Sequence, residues 1–245
     1  MRLSFAILLA AAVLLASTHC SFGQAGLSKE NWDKNSPGVK LEARELGRTQ
    51  ISGHTVVMYN LYASGMSAGQ QYTLWQWNIG GDPQPAASAV LNTDGKVVSS
   101  LADPAHHVQE DPVNIRAFGG RGQPLRFGLV SDDGQLQAFA RVIPFPIQTS
   151  NGACHLSAEM EAPNYAAVAF VGSGFLPGEQ LTVKTHSENE GGENKAVAAP
   201  DGTSRNLVLP FVKGKASGEI KFEIRASGCT IALEIPWGQG SYQLQ

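Results

Sequence analysis

Five short stretches of this chain carry residue types that do chemistry or hold ligands. The first is Gly65-Met66-Ser67-Ala68-Gly69, the G-x-S-x-G order in which a strand-to-helix turn lifts a nucleophilic serine above a parallel sheet. The second is His106-His107 with Asp103, Glu110 and Asp111 close by, nitrogen and oxygen donors suited to a divalent metal. Residues 188–194 (ENEGGEN) add a run of oxygen donors, but not in the Asp-x-Asp-x-Asp-Gly order of a calcium loop. Residues 119–124 (GGRGQP) are glycine-rich, without the Lys-Ser/Thr pair that phosphate binding uses. The fifth is Trp75-Gln76-Trp77, two large rings two residues apart.

The first four read more simply as structure. After Gly69 comes QQYTLWQWNI, a strand pattern rather than a helix, and the chain writes this turn twice. Residues 63–74 (ASGMSAGQQYTL) recur as 172–183 (GSGFLPGEQLTV), with Leu176 at the position of Ser67. A turn that dispenses with the serine in its twin exists for its backbone. The histidine pair lies between Pro104 and Pro112, which predicts an exposed loop that does not hold ligands at fixed spacing. Residues 188–194 read as a flexible hairpin tip. The expectation is therefore no catalytic residue, no metal and no cofactor.

The indoles carry more. Residues two apart on a strand share a face, and the repeat shows which one. Tyr72 and Leu74 align with Leu181 and Val183 as the inward pair, whereas Trp75 and Trp77 align with Lys184 and His186, which must point outward. Two indoles about 7 Å apart along a strand form a platform for a glycan or a protein. The competing reading is a covered one, since each ring hides about 150–250 Å² of surface and would seek the lead-in segment or the second unit. Trp75 and Trp77 are the candidate ligand-binding residues.

The elements that must position these residues are short strands. Apolar alternation broken by Gly, Pro, Asn and Asp predicts strands over 40–50, 54–63, 71–79, 87–92, 96–101, 125–131 and 135–144. A second set covers 154–161, 166–172, 180–187, 195–199, 203–211, 219–226 and 230–237. The two sets match beyond the repeated turn: LEAREL at 41–46 against LSAEME at 156–161, and the Asp-Gly turns at 93–95 and 200–202. Seven strands apiece predict an all-β chain of two tandem β-sandwiches, 40–148 and 149–245, joined by a polar link at 149–152 that leaves modest freedom. Residues 24–39 are polar and without period, a flexible lead-in.

Composition sets the address. Only 16% of the 245 residues are charged and the formal net charge is -3, so no basic footprint marks a nucleic-acid partner. Abundant turn residues, 27 Gly and 13 Pro, suit an exported β-protein. Residues 1–23 open with Arg2 and an apolar run, the pattern of a signal peptide. That run is too short for a membrane span, and no transmembrane segment is expected. Cys20 raises lipid anchoring, but His19 before it departs from the lipoprotein pattern. If Cys20 leaves with the signal, Cys154 and Cys229 remain as the only disulfide pairing.

The turn Gly174-Phe175-Leu176-Pro177-Gly178-Glu179 resembles that of immunoglobulin-like domains in bacterial secreted and surface proteins. The first copy departs from it with Met66, Ala68 and Gln70. The resemblance implies two immunoglobulin-like sandwiches in an extracellular or periplasmic setting, and it grants no activity, because that fold hosts many functions. The expected role is non-catalytic, binding or structural, at the cell envelope, with an unidentified protein or glycan as partner. Alternatives are a carbohydrate-binding accessory protein using Trp75 and Trp77, and a subunit of a surface assembly.

Overall fold

The computed structural model describes residues 27, 29, 32–99 and 113–245. The predicted signal segment at 1–23, Cys20 and the His106-His107 loop lie outside the described residues. The first half contributes β1 (Lys40–Ile51), β2 (His54–Ser64), β3 (Gln71–Trp77), β4 (Gln84–Leu91), β5 (Val97–Ser99), β6 (Ile115–Ala117), β7 (Leu125–Ser131) and β8 (Gln137–Val142). The second contributes β9 (Ile147–Asn151), β10 (Cys154–Met160), β11 (Val168–Ser173), β12 (Gln180–Ser187), β13 (Glu190–Val197), β14 (Ser204–Val208), β15 (Ser217–Arg225) and β16 (Thr230–Gly238). No α-helix occurs among the described residues. The chain is all-β.

The strands form four antiparallel sheets, ordered β1-β2-β6, β5-β4-β3-β7-β8, β14-β11-β10-β9 and β13-β12-β15-β16. The first two sheets share one core, with Leu41, Tyr59 and Leu61 from one meeting Tyr72, Leu74, Phe127 and Leu129 from the other. The last two share another, built on Leu156, Val168 and Phe170 against Leu181, Ile220, Phe222 and Ile235. Two layers closing on separate cores make each half β-sandwich-like. At the centre of the second core the rings of Phe170 and Phe222 stack 4.2 Å apart at 1°.

The duplicated turn is duplicated in geometry. Gly65 and Gly174 both sit at positive φ, +75° and +85°, and a Cβ at either would collide with a carbonyl oxygen, of Gly38 or of Ala153. The next glycine makes the same bond in each copy, Gly69 N to Leu91 O and Gly178 N to Ala198 O, both 3.1 Å. What the two copies hold in common is thus a backbone path that only glycine follows.

Several boundaries differ from the sequence expectation. β6 and β9 were not expected. β6 has only three residues, and β9 (IQTSN) is mostly polar because it is a sheet edge. The expected link at 149–152 is therefore no hinge, since Thr149, Ser150 and Asn151 pair with Leu156, His155 and Cys154. The 188–194 tip is also shorter than expected, because β13 already starts at Glu190. Strand 203–211 stops at Val208, before Pro210, which has no N–H for a ladder.

Cys154 and Cys229 form a disulfide that spans 75 residues and ties the start of β10 to the β15–β16 turn. It thereby fastens one sheet of the second sandwich to the other. Replacing both cysteines with alanine should lower unfolding free energy by about 4 kcal/mol on the chain-entropy argument, read by urea denaturation against the oxidised parent. Phe222→Ala removes a fully buried ring, and should cost about 3–5 kcal/mol in the same assay.

Candidate functional site

The outer face of the five-stranded sheet is where the predicted residues come together. Pairing with β7 puts Leu74 opposite Leu129 and Gln76 opposite Phe127, whereas Trp75 faces Gly128 and Trp77 faces Arg126. The first set looks into the core and the second away from it, as the repeat implied. The outward indoles do not form a free platform, however. Trp75 is only 8% exposed. Trp32 lies over this face, 5.5 Å from Trp77 edge-to-face and 5.0 Å from Phe139. Leu27 and Val130 complete the cluster, and the bare Cα of Gly128 makes room for Leu27 and Phe139.

Trp32 is held there by residues expected to belong to a flexible lead-in. Ser36 N donates to Gln137 O (2.8 Å), Gln137 N to Ser36 Oγ (3.0 Å) and Phe139 N to Asn35 Oδ1 (2.7 Å). Gln137 Nε2 donates to Lys34 O (2.8 Å). These bonds satisfy backbone groups of β8, the edge of its sheet, in the way an added strand would. Residues 32–39 are a docked strap.

From Trp77 the site continues into the second unit. The guanidinium of Arg126 sits 4.6 Å from the Trp77 ring centroid, close enough for a cation–π contact, and Arg126 Nη2 donates to Glu161 Oε2 (3.1 Å). Arg141 grips Glu159 with two bonds, Nη1 to Oε1 (2.9 Å) and Nη2 to Oε2 (2.8 Å). Arg205 Nη1 reaches Glu159 Oε2 (2.7 Å), and its other nitrogen reaches Glu161. Three arginines and two glutamates thus share one partly buried site, with the Arg126 and Glu159 side chains 8% and 10% exposed. Burial works to raise the Glu159 pKa, but hydrogen bonds from Arg141 and Arg205 outweigh it and hold the carboxyl below its ordinary value. Burial also pulls Arg126 below the usual guanidinium value, against the pull of Glu161.

The glycine-rich run at 119–124 belongs to the same junction. Met160 N donates to Gly122 O (2.8 Å) and Tyr165 Oη to Arg121 O (2.6 Å). The chain end returns across it: Leu244 bridges Gly120, Thr55 N donates to Gln245 O (2.8 Å), and Tyr242 Oη donates to Gln123 Oε1 (2.8 Å). A Cβ at Gly120 would strike the Tyr242 ring, and one at Gly122 the Ala158 carbonyl.

Of the other candidates among the described residues, Ser67 falls outside this face. Ser67 lies in an exposed turn that leads into β3, not a helix, and its carbonyl accepts the Tyr72 hydroxyl at 3.0 Å. Among the described residues no group of three or more His, Cys, Asp or Glu side chains is placed to hold a metal ion. Among the same residues no helix is long and apolar enough to cross a membrane. Sequence reasoning missed Trp32, Arg126, Arg141, Glu159, Glu161 and Arg205. The one available signal was Trp32, a large apolar residue inside a polar segment. No known family model matches the chain, and no curated protein matches it in sequence.

Because Glu159 is depressed in the folded state, it contributes stability above the ordinary carboxyl value of 4.5 and loses it as pH falls through the folded value. Denaturation midpoints taken from about pH 7 down to about pH 3 should therefore drop below that value. Glu159→Gln should flatten the drop and cost near the low end of the ~3–5 kcal/mol seen when one partner of a buried pair is removed, since the half-exposed Arg205 can rehydrate.

Proposed function

We propose that this chain is an exported, non-catalytic protein of the bacterial cell envelope, two tandem immunoglobulin-like sandwiches whose role is binding or structural. The observation that carries the reading is the junction. Five charged side chains, a docked glycine-rich run and a returning chain end hold the two units together. An arrangement held this firmly suits the presentation of a surface, whereas domain closure around a substrate needs a hinge that absorbs backbone rotation. A disulfide between the sheets of the second unit fits an oxidising compartment.

The assembly-subunit reading has a specific observation in its favour. β13 is a sheet edge whose residues are all exposed save Ala196, and the neighbouring β14 presents Leu207 at 67% exposure, followed by Leu209 and Phe211. An open edge beside exposed apolar side chains is the geometry used for strand addition by a protein partner. Glycan binding on Trp75 and Trp77 has less support, since Trp32 and the strap would first have to leave.

The test combines fractionation of the producing cell with photo-crosslinking from position 194 on β13. The expected result is oxidised Cys154–Cys229 in the envelope or secreted fraction and a covalent adduct to an envelope protein. Residence in the cytosol with free thiols overturns the export reading. Adducts absent from 194 but present from a position on another strand overturn the edge reading.

A further inference from the structure

The inner face of β3 reads Tyr72, Leu74, Gln76, so the third inward position carries an amide where a core strand would carry an apolar side chain. Gln76 stands opposite Phe127 on β7 at the open end of the first sandwich, where a cleft of about 500 Å³ separates the two sheets. Small residues create the space: Ala87 on β4 and Ala117 on β6 both line it, and neither fills the volume a Leu or Ile would occupy. Its walls are apolar in part, from Leu74 and Phe127, and amide in part, from Gln76, Asn114 and Gln123. Phe118 stands at the mouth with 45% of its surface exposed.

The second sandwich shows that the fold does not require such a cleft. There Thr185 faces Phe222 as Gln76 faces Phe127, and the corresponding space is about 230 Å³, less than half as large. The Phe170 ring stacks on Phe222. Ser187 donates to Pro210 O (2.7 Å) and accepts from Trp237 Nε1 (3.0 Å), so its polar group is engaged within the protein. In the first sandwich the amides remain at the cleft: Gln76 Nε2 donates to Asn78 Oδ1 (3.1 Å), and Gln123 is fixed in orientation because its oxygen accepts Gly120 N and Tyr242 Oη. One end of one sandwich has been opened and lined with amides.

We propose that this cleft binds a neutral, polyhydroxylated ligand, a short oligosaccharide threaded between β3–β7 and β6. The proposal rests on the reading of the chain as a binding protein, and supplies that reading with a ligand class. The volume lies within the range of about 300–1,000 Å³ typical of small-ligand sites. Each amide offers both donors and acceptors without charge, which is the complement of a hydroxyl. A wholly apolar ligand would desolvate the amide atoms that these internal bonds leave over, at a cost of about 1–3 kcal/mol for each polar group left unpaired. Among the described lining residues an anionic ligand would meet one cation, Arg116, and a cationic one no carboxylate. The exposed Phe118 ring presents a flat apolar face to the C–H side of a pyranose.

The experiment is calorimetric titration of the chain from residue 24 onward with cellohexaose, xylohexaose, mannohexaose and chitohexaose, with trigalacturonate as the anionic comparison. Backbone amide shifts are recorded in parallel. The expected result is binding of at least one neutral oligosaccharide, with shifts concentrated at 74–78 and 113–118. Phe118→Ala, at an exposed position, and Gln76→Leu, which keeps the fold by adding apolar surface inside, should each weaken it by about tenfold or more. Leu176→Ala, at an exposed turn of the second sandwich, should leave it unchanged. If no neutral oligosaccharide titrates, if only trigalacturonate binds, or if both cleft variants bind as the parent does, the proposal is overturned. An envelope adduct from β13 obtained alongside a failed titration would leave the binding-protein reading standing and remove only the cleft.

Discussion

The structure depends on keeping charge out of water at one place. Arg126 is buried in a chain of low charge density, over the Trp77 ring and against Glu161. Desolvating a guanidinium costs several kcal/mol unless partners replace the lost water, so Arg126 is tolerable only while the second sandwich delivers Glu161. Glu159, in turn, is acceptable only while Arg141 comes from the first sandwich and Arg205 from the second. In the second unit one arginine, Arg205, serves two glutamates, and Arg126 and Arg141 of the first find their carboxylate partners across the junction. Each therefore imposes the position of the other, and a buried ion pair serves here as a register device more than as a source of net stability.

That constraint reaches into both ends of the chain. Arg126 stays over the Trp77 ring only because Trp77 is itself held, by Trp32 edge-to-face and by its Nε1 bond to Gly81 O (3.0 Å). The strap that carries Trp32 is anchored on β8, the strand that also bears Arg141. At the far end, Tyr242 and Leu244 secure the 119–123 run that leads into β7 and Arg126. Strap, outer sheet face, ion cluster and returning chain end form one continuous contact path, so a loss at any link loosens the next.

Local physics was legible in the sequence and long-range pairing was not. β7 and β12 fall where they were placed, β12 because a half-buried alternating strand between turn residues has one reading, and β7 because a short, fully buried apolar run bounded by turn residues reads as a strand. The inward and outward sides of β3 followed from aligning one repeat on the other, and the disulfide followed from there being two candidate cysteines. β6 and β9 escaped because three residues show no period and a polar edge strand resembles a linker. The junction escaped for a different reason. Its residues stand at 126, 141, 159, 161 and 205, and each taken alone reads as an ordinary exposed charge on a strand. Only the docking of one sandwich on the other tells Arg126 from Arg225, whose partner Glu223 lies two residues away on the same strand.

The fate of the sheet edges ties architecture to role. The β8 edge is covered by residues 35–36, and the returning chain end pairs with Thr55 and Gly120 beside β2 and β6. β9 and β16 pack together on one side of the second sandwich, leaving β13 and β14 as edges on the other. These two keep their backbone groups open beside Leu207, Leu209 and Phe211. Glu190, Glu193 and Lys195 on β13 guard against indiscriminate strand pairing, since an incoming strand must match their charges. A chain that covers the β8 edge with its own strap and packs β9 against β16, and here uses charge instead of cover, has kept this edge selective rather than closed.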